Sequence, residues 1–381
     1  MTELKLRIAH GLDDVDREAW DAIANPADSP YDPFASWDFL QALEQSASVS
    51  NETGWAPHHL LAEDEAGRLL GAMTLYLKGH SYGEYVFDHG WADAFERAGG
   101  SYYPKLLTGA PFTPATGRRL FGRDEAVRTA LIETTKRLCR EWSLSSWHVL
   151  FPEPGDYAAL GEHGLLQRCD IQFIWRNEAY RDYADFLDAL ASRKRKALRK
   201  EREAAQADVI IEPLTGAAIR PEHWDVFFAC YQDTGARKWG TPYLNRDFFQ
   251  LIHERMADRV LLVMARRQDR YVASALNFIG SETLFGRYWG CLEPMEHVHF
   301  ELCYHQAIDY AIENGLKQVE AGAQGPHKMA RGYRPQAVHS AHYLPDERFA
   351  DAVGRFLDRE RPAVLAEIEA LDKETPYKVG S

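Results

Sequence analysis

The chain has 381 residues, 45% of them apolar and 12% aromatic, with a formal net charge of −13. The length fits two domains of roughly 190 residues, the apolar content excludes extended disorder, and the acidic balance excludes nonspecific nucleic-acid binding by the whole surface. No stretch approaches ~18 uninterrupted apolar residues, no export segment opens the chain, and the five cysteines form no C-x-x-C pair, so a cytoplasmic protein with reduced thiols is expected.

Taken in chain order, one pattern is stated twice. The first half predicts a strand over 4–9, helices over 17–23 and 37–43, and strands over 59–64, 68–77 and 85–88. A long loop over 88–123 follows, then an amphipathic helix over 124–142 and strands over 145–151 and 172–175. The segment 183–205 reads as one helix. Its second part, S-R-K-R-K-A-L-R-K-E-R, carries Arg193, Lys194, Arg195, Lys196, Arg199, Lys200 and Arg202. The second half predicts a strand over 208–214, helices over 221–228 and 246–252, strands over 260–265, 270–279 and 283–289, a helix over 298–314 and a strand over 317–323. Trp20-Asp21 answers Trp224-Asp225, and Phe39-Leu40-Gln41 answers Phe248-Phe249-Gln250. A last helix is expected over 346–371, with Pro362 marking a kink or a restart. A repeat of ~200 residues exceeds any solenoid period, so the reading is two domains, 1–175 and 176–381.

The densest chemistry lies in E-A-G-A-Q-G-P-H-K-M-A-R-G-Y-R-P, residues 320–335. Its glycines let backbone approach a ligand. Lys328 and Arg331, one helical turn apart, are expected to point together at a phosphate or carboxylate; the alternative is a solvated basic turn. In H-V-H-F-E-L-C-Y-H-Q (297–306), His297, Glu301 and His305 have helical spacing, but residues eight apart on a helix are separated by about 12 Å, too far to share one ion. No metal is expected, and His299 or Glu301 is placed near a cleft instead. The first-half insert carries Lys105, Phe112, Thr113, Arg118 and Arg119. Its Arg119-Leu-Phe-Gly122-Arg-Asp124 matches the first two fixed positions of the Q/R-x-x-G-x-G/A pyrophosphate loop of GNAT enzymes, with Asp124 in place of the small third residue. The equivalent C-L-E-P-M-E-H of the second half has no glycine-rich turn. No G-x-S-x-G elbow, Walker loop or G-x-G-x-x-G after a strand is present.

The run H-F-E-L-C-Y-H-Q-A-I-D-Y-A-I-E-N-G-L with the 320–335 segment closely resembles the FemAB-like N-acyltransferases. So do G-R-Y-W-G (286–290), Y-Y-P-K-L-L-T-G-A-P-F-T-P-A-T-G-R-R-L (102–120) and the basic helix; together the similarity runs from about residue 10 to 345. The resemblance implies a layered α/β fold of two tandem GNAT-like acyltransferase domains, with mixed sheets flanked by helices, and a link to peptidoglycan biosynthesis or recognition. More distantly, the chain is similar to Fem transferases, which use aminoacyl-tRNA to extend a muropeptide and contact substrate phosphate through a lysine; Lys328 is its nearest counterpart. The long coiled-coil insertion of some of those enzymes is missing.

The resulting expectation is amide-forming acyl transfer. Glu320 or His327 would be the base and Tyr333 the acid. Substrate contacts are assigned to Tyr288, His299, Glu301, Gln324, Lys328 and Arg331 in one domain, and to Lys105, Phe112, Thr113, Arg118 and Arg119 in the other, as two walls of one cleft. Arg193, Lys196, Arg199 and Lys200 are assigned to a polyanion. No permanently bound cofactor is expected. The donor is acyl-CoA or aminoacyl-tRNA; the acceptor is a small-molecule or muropeptide amine, and no DNA is involved. The alternatives are an acyl-CoA-dependent small-molecule N-acetyltransferase and a non-catalytic binder of peptidoglycan precursors.

Overall fold

The computed structural model describes residues 4–238, 242–322 and 325–378. Contacts divide the chain into two compact units, Met1–Asp170 with Ala337–Ala366, and Ile171–Gln336 with Glu367–Ser381. The division thus differs from a cut between 175 and 176, because residues 337–366 pack with the first unit.

In the first unit, strands Lys5–Ala9, His59–Glu63, Leu69–Met73 and Phe121–Gly122 form an antiparallel sheet. Helices Arg17–Ala24 and Trp37–Gln45 are capped by Asp16 and Ser36, whose side chains accept from the backbone amides of Ala19 and Phe39. Further strands run Trp55–Pro57, Tyr76–Lys78, Lys105–Thr108 and Trp147–Leu150, and continue onto residues 340–343; within them Lys105–Thr108 and Trp147–Leu150 are parallel. Helix Glu125–Glu141 buries Val127, Leu131 and Ile132 against this core.

The predicted strand over 85–88 does not form. The expected loop over 88–123 instead contains helix His89–Arg97 and strand Lys105–Thr108. The four residues of that strand are all buried. A strand covered on both faces shows no alternation, so its pattern was invisible beside the Gly and Pro around it.

The second unit repeats the order with strand Ile210–Thr215, helices Pro221–Lys238 and Arg246–Met256, and strands Val260–Arg267, Arg270–Ile279 and Thr283–Cys291. A helix over 298–313 follows, then strand Gln318–Glu320, which runs parallel to Thr283–Cys291. Residues 174–176 of strand Leu166–Arg176 add to the far side of Gln318–Glu320. Both units therefore place a parallel strand pair around a helix, the GNAT-like arrangement. Trp20 and Trp224, read as equivalent, are both fully buried, as are Phe39 and Phe248.

The predicted helix over 183–205 is two helices, Tyr183–Ala189 and Ser192–Gln206, because Leu190 is extended. The last helix is continuous over Glu347–Asp372 with Pro362 inside it. No described helix is long and apolar enough to cross a membrane.

Candidate active site

In the second unit, chemistry collects where two parallel strands part. Thr283 to Phe285 pair with Gln318 to Glu320, and there the pairing stops. Strand Thr283–Cys291 runs on against Arg270–Ile279, but its register shifts: Asn277 faces Gly286 and Leu276 faces Tyr288, leaving Arg287 as the extra residue of a bulge. Bulges re-aim side chains and concentrate beside functional sites. Where the strands part lies a cavity of about 110 Å³, lined by Asn277, Arg287, Tyr288, Trp289, His299, Cys303, Tyr304 and Ala321.

The helix over 298–313 supplies His299, Cys303 and Tyr304. It starts after His297, which is in the left-handed region, and contains a π-helical turn, Glu301–His305. Such turns are rare and recur at functional sites. The His299 ring lies 4.6 Å from Trp289, and the Tyr304 hydroxyl is 2.9 Å from Nε2 of the exposed His327. Of the sequence-predicted residues, Tyr288 and His299 line the cavity. Glu301 does not: its Oε1 accepts from Arg202, Gln206 and Gln306.

The 320–335 segment folds as strand end, turn and the 3-10 helix Pro326–Arg331, between Gly325 and Gly332, both with positive φ. A Cβ at Gly332 would also lie 2.8 Å from the Phe186 ring. Lys328 is 1% exposed and donates to the Gly322 carbonyl at 2.7 Å. No carboxylate among the described residues forms an ion pair with it. Burial pushes its ammonium down to about 7; Cys303 opposes the fall and Arg287 adds to it.

Lys328 and Arg331 do not converge on a shared anion, contrary to expectation. Arg331 gives Nε and Nη2 to the two oxygens of Glu201, at 2.9 and 2.6 Å, and Nη1 to the His327 carbonyl at 2.7 Å. Its guanidinium lies 3.5 Å above the Phe300 ring. Glu201 also holds Nε2 of His305 at 3.0 Å, and these partners keep its carboxyl below the usual range despite burial. Tyr333 lies in the hydrophobic core; its hydroxyl has no hydrogen-bond partner among the described residues, and burial raises it far above the usual phenol range. Glu320 is buried at the last paired position, opposite Phe285 and Ile174. Gln324 lies outside the described residues.

The first-unit residues have structural partners. Lys105 donates to Ser81 and Glu84, each at 2.8 Å, and to Asp88 at 2.5 Å, in a buried cluster. Arg119 directs its guanidinium at the carbonyls of Leu150, Arg118 and Ala115. Arg118 donates to the carbonyls of Ile23 and Ala24, the end of helix Arg17–Ala24. Phe112 is buried 5.1 Å from the Trp55 ring, and the Thr113 hydroxyl donates to the Pro111 carbonyl. Asp124 caps helix Glu125–Glu141 by accepting from Val127, so a carboxylate fills the turn where a pyrophosphate loop would be. A larger groove of about 750 Å³ in this unit, walled by Trp91, Phe95, Phe349 and Phe356, is lined by none of these residues.

On helix Ser192–Gln206 the cations divide by face. Leu198 and Ala205 are buried; on the same side Arg202 pairs with Glu301 and Asp309, and Glu201 meets Arg331. Arg195 pairs with Asp188. Arg193, Lys196, Arg199 and Lys200 are exposed on the opposite side, and none of them forms an ion pair with a described residue. From sequence the whole run presents one polar surface. The seven-residue spacing of Leu198 and Ala205 marks the packed face and would have exposed Glu201 and Arg202.

The family model for FemAB-like proteins, described as peptidoglycan biosynthesis/recognition, matches residues 11–379. The chain belongs to the FemAB-like family. No curated protein matches it by sequence. Among solved structures, FemX aligns with a TM-score of 0.55 at 11% identity, over 89% of this chain and 98% of that one. The C-terminal domain of a putative lysylphosphatidylglycerol synthetase from Agrobacterium fabrum aligns at 0.54 and 9% identity, over 89% and 95%. L-PGS from Bacillus licheniformis aligns at 0.51 and 9%, over 87% and 98%. At such identities these likenesses show a shared fold, and this FemAB-like chain has the tandem GNAT-like architecture in both units.

Proposed function

We propose that the second unit forms an amide between an activated carboxyl group and an amine of a peptidoglycan precursor, with aminoacyl-tRNA as the donor. The observation that carries this reading is the parting of the parallel strands beside the Arg287 bulge, with a polar, aromatic-lined cavity at that point. A strand edge released from pairing presents backbone groups to a donor carbonyl, and fixed dipoles there stabilise the oxyanion that develops. Glu320 and His327 enter as groups that orient the amine; Tyr333, expected as the acid, is packed in the core away from the cavity and takes no part in the transfer. No covalent enzyme intermediate is needed.

Two features favour aminoacyl-tRNA over acyl-CoA. In the second unit the segment before the helix over 298–313, C-L-E-P-M-E-H, holds no glycine-rich turn for a pyrophosphate. The exposed row of Arg193, Lys196, Arg199 and Lys200 gives a phosphate backbone a place to bind on an acidic protein. Filter binding with tRNA at graded salt tests the donor. Wild-type affinity should fall steeply with salt, and K196E/R199E/K200E should abolish binding while leaving the melting temperature unchanged. If the triple variant binds tRNA normally, the donor becomes acyl-CoA. A UDP-muropeptide that raises the melting temperature without transfer from either donor class would identify a binding protein instead.

A further inference from the structure

We propose that the Lys328 amine takes the proton from the attacking ammonium group at the second-unit cavity. The assignment rests on the amide-forming reading and names its base. Five candidate groups stand near the parted strands: Glu320, at the last paired position, is assigned to orienting the amine, and three others are otherwise committed. Glu301 gathers Arg202, Gln206 and Gln306. The His327 ring is exposed, with Nε2 in the hydrogen bond to Tyr304. Glu201 is clamped by Arg331 and His305. Lys328 differs from all three. Its amine is buried, donates to one backbone carbonyl, and has no carboxylate within ion-pair distance among the described residues. Gly322, which accepts that bond, follows Ala321 in the cavity wall, and the two side chains whose charge Lys328 feels, Cys303 and Arg287, also line the cavity. An amine so desolvated, with a guanidinium nearby, is held about half neutral at pH 7 and offers a lone pair.

Neutral Lys328 accepts one proton from the acceptor's –NH3+ and becomes an ammonium. The freed nitrogen attacks the donor carbonyl carbon, a C–N bond forms, and the C–O bond to the tRNA ribose breaks. The second nitrogen proton leaves with the ribose hydroxyl, and Lys328 returns its proton to solvent.

The test uses the full chain, a radiolabelled aminoacyl-tRNA and a UDP-muropeptide amine across pH 5.5–9. Wild-type kcat/KM should rise about tenfold per pH unit below ~7 and level off above it. Both K328M and K328R should lose ~10²-fold or more, and methylamine should restore part of the K328M rate. A role in merely holding phosphate predicts the reverse for arginine, so K328R with wild-type rate and an unchanged acid limb overturns the assignment. So does K328M at wild-type rate. If wild type transfers nothing from either donor class, the amide reading falls and the assignment with it. Circular dichroism of both variants separates loss of the base from loss of the fold.

Discussion

The first unit buries Lys78 and Lys105 and the second buries Lys328, and Lys105 and Lys328 sit in opposite electrostatic settings. Lys105 lies against Glu84 and Asp88; burial works against its charge, but the two carboxylates more than offset this and raise it above the ordinary lysine range. Lys328 has a carbonyl where Lys105 has carboxylates, and burial carries it down to about 7. Burial by itself therefore does not nominate a functional group. The partner decides: a compensated charge is a structural element, whereas an uncompensated one is a group whose proton is free to move near neutral pH.

The comparison breaks first at Lys105. K105M leaves Asp88 and Glu84 buried together with only Lys78, 3.9 Å from Glu84, as a nearby cation, and removing one member of a buried ion pair costs about 3–5 kcal/mol. Urea unfolding should show that loss; a change below ~1 kcal/mol would mean that the cluster is not closed as described.

Glu201 sharpens the contrast, because Arg331 stands three residues from Lys328 yet does have a carboxylate. E201Q replaces a bidentate charged pair with a neutral one and should cost about 1–3 kcal/mol. It should also loosen the 325–332 turn, read as faster amide exchange at Lys328 and Gly332, whose amides bond to the carbonyls of Gly325 and Met329. Unchanged exchange there would show that the turn holds itself.

The smallest loss of stability is expected at Lys328 itself. K328M removes an amine that burial already disfavours in its charged form, so stability near pH 7 should fall by no more than ~1 kcal/mol. The pH dependence should change more. Lys328 falls from 10.5 to about 7 on folding, so between those values the unfolded chain binds the extra proton and wild-type stability rises with pH. K328M should lose that share of the rise. Lys78, also pushed down to about 7 by burial, keeps its own. Identical slopes for the two proteins across pH 7–10 would show that Lys328 is an ordinary charged lysine.

Local pattern determined much of this protein. Strand Arg270–Ile279 and the helices begun by Ser36 and Asp124 follow from apolar spacing and capping residues a few positions apart, and the doubled order of elements announced two similar folds. The importance of the 320–335 segment was also legible, because glycine, histidine and cations crowd together there. The pairing of the charges was not legible. Arg331 finds Glu201 across 130 positions, and Lys105 finds Glu84 across 21. Composition shows that both lysines exist, and helical spacing places Lys328 beside Arg331. Whether an amine is matched by a carboxylate or by a lone carbonyl is set by which distant segments pack around it, and in a buried site that match governs its charge.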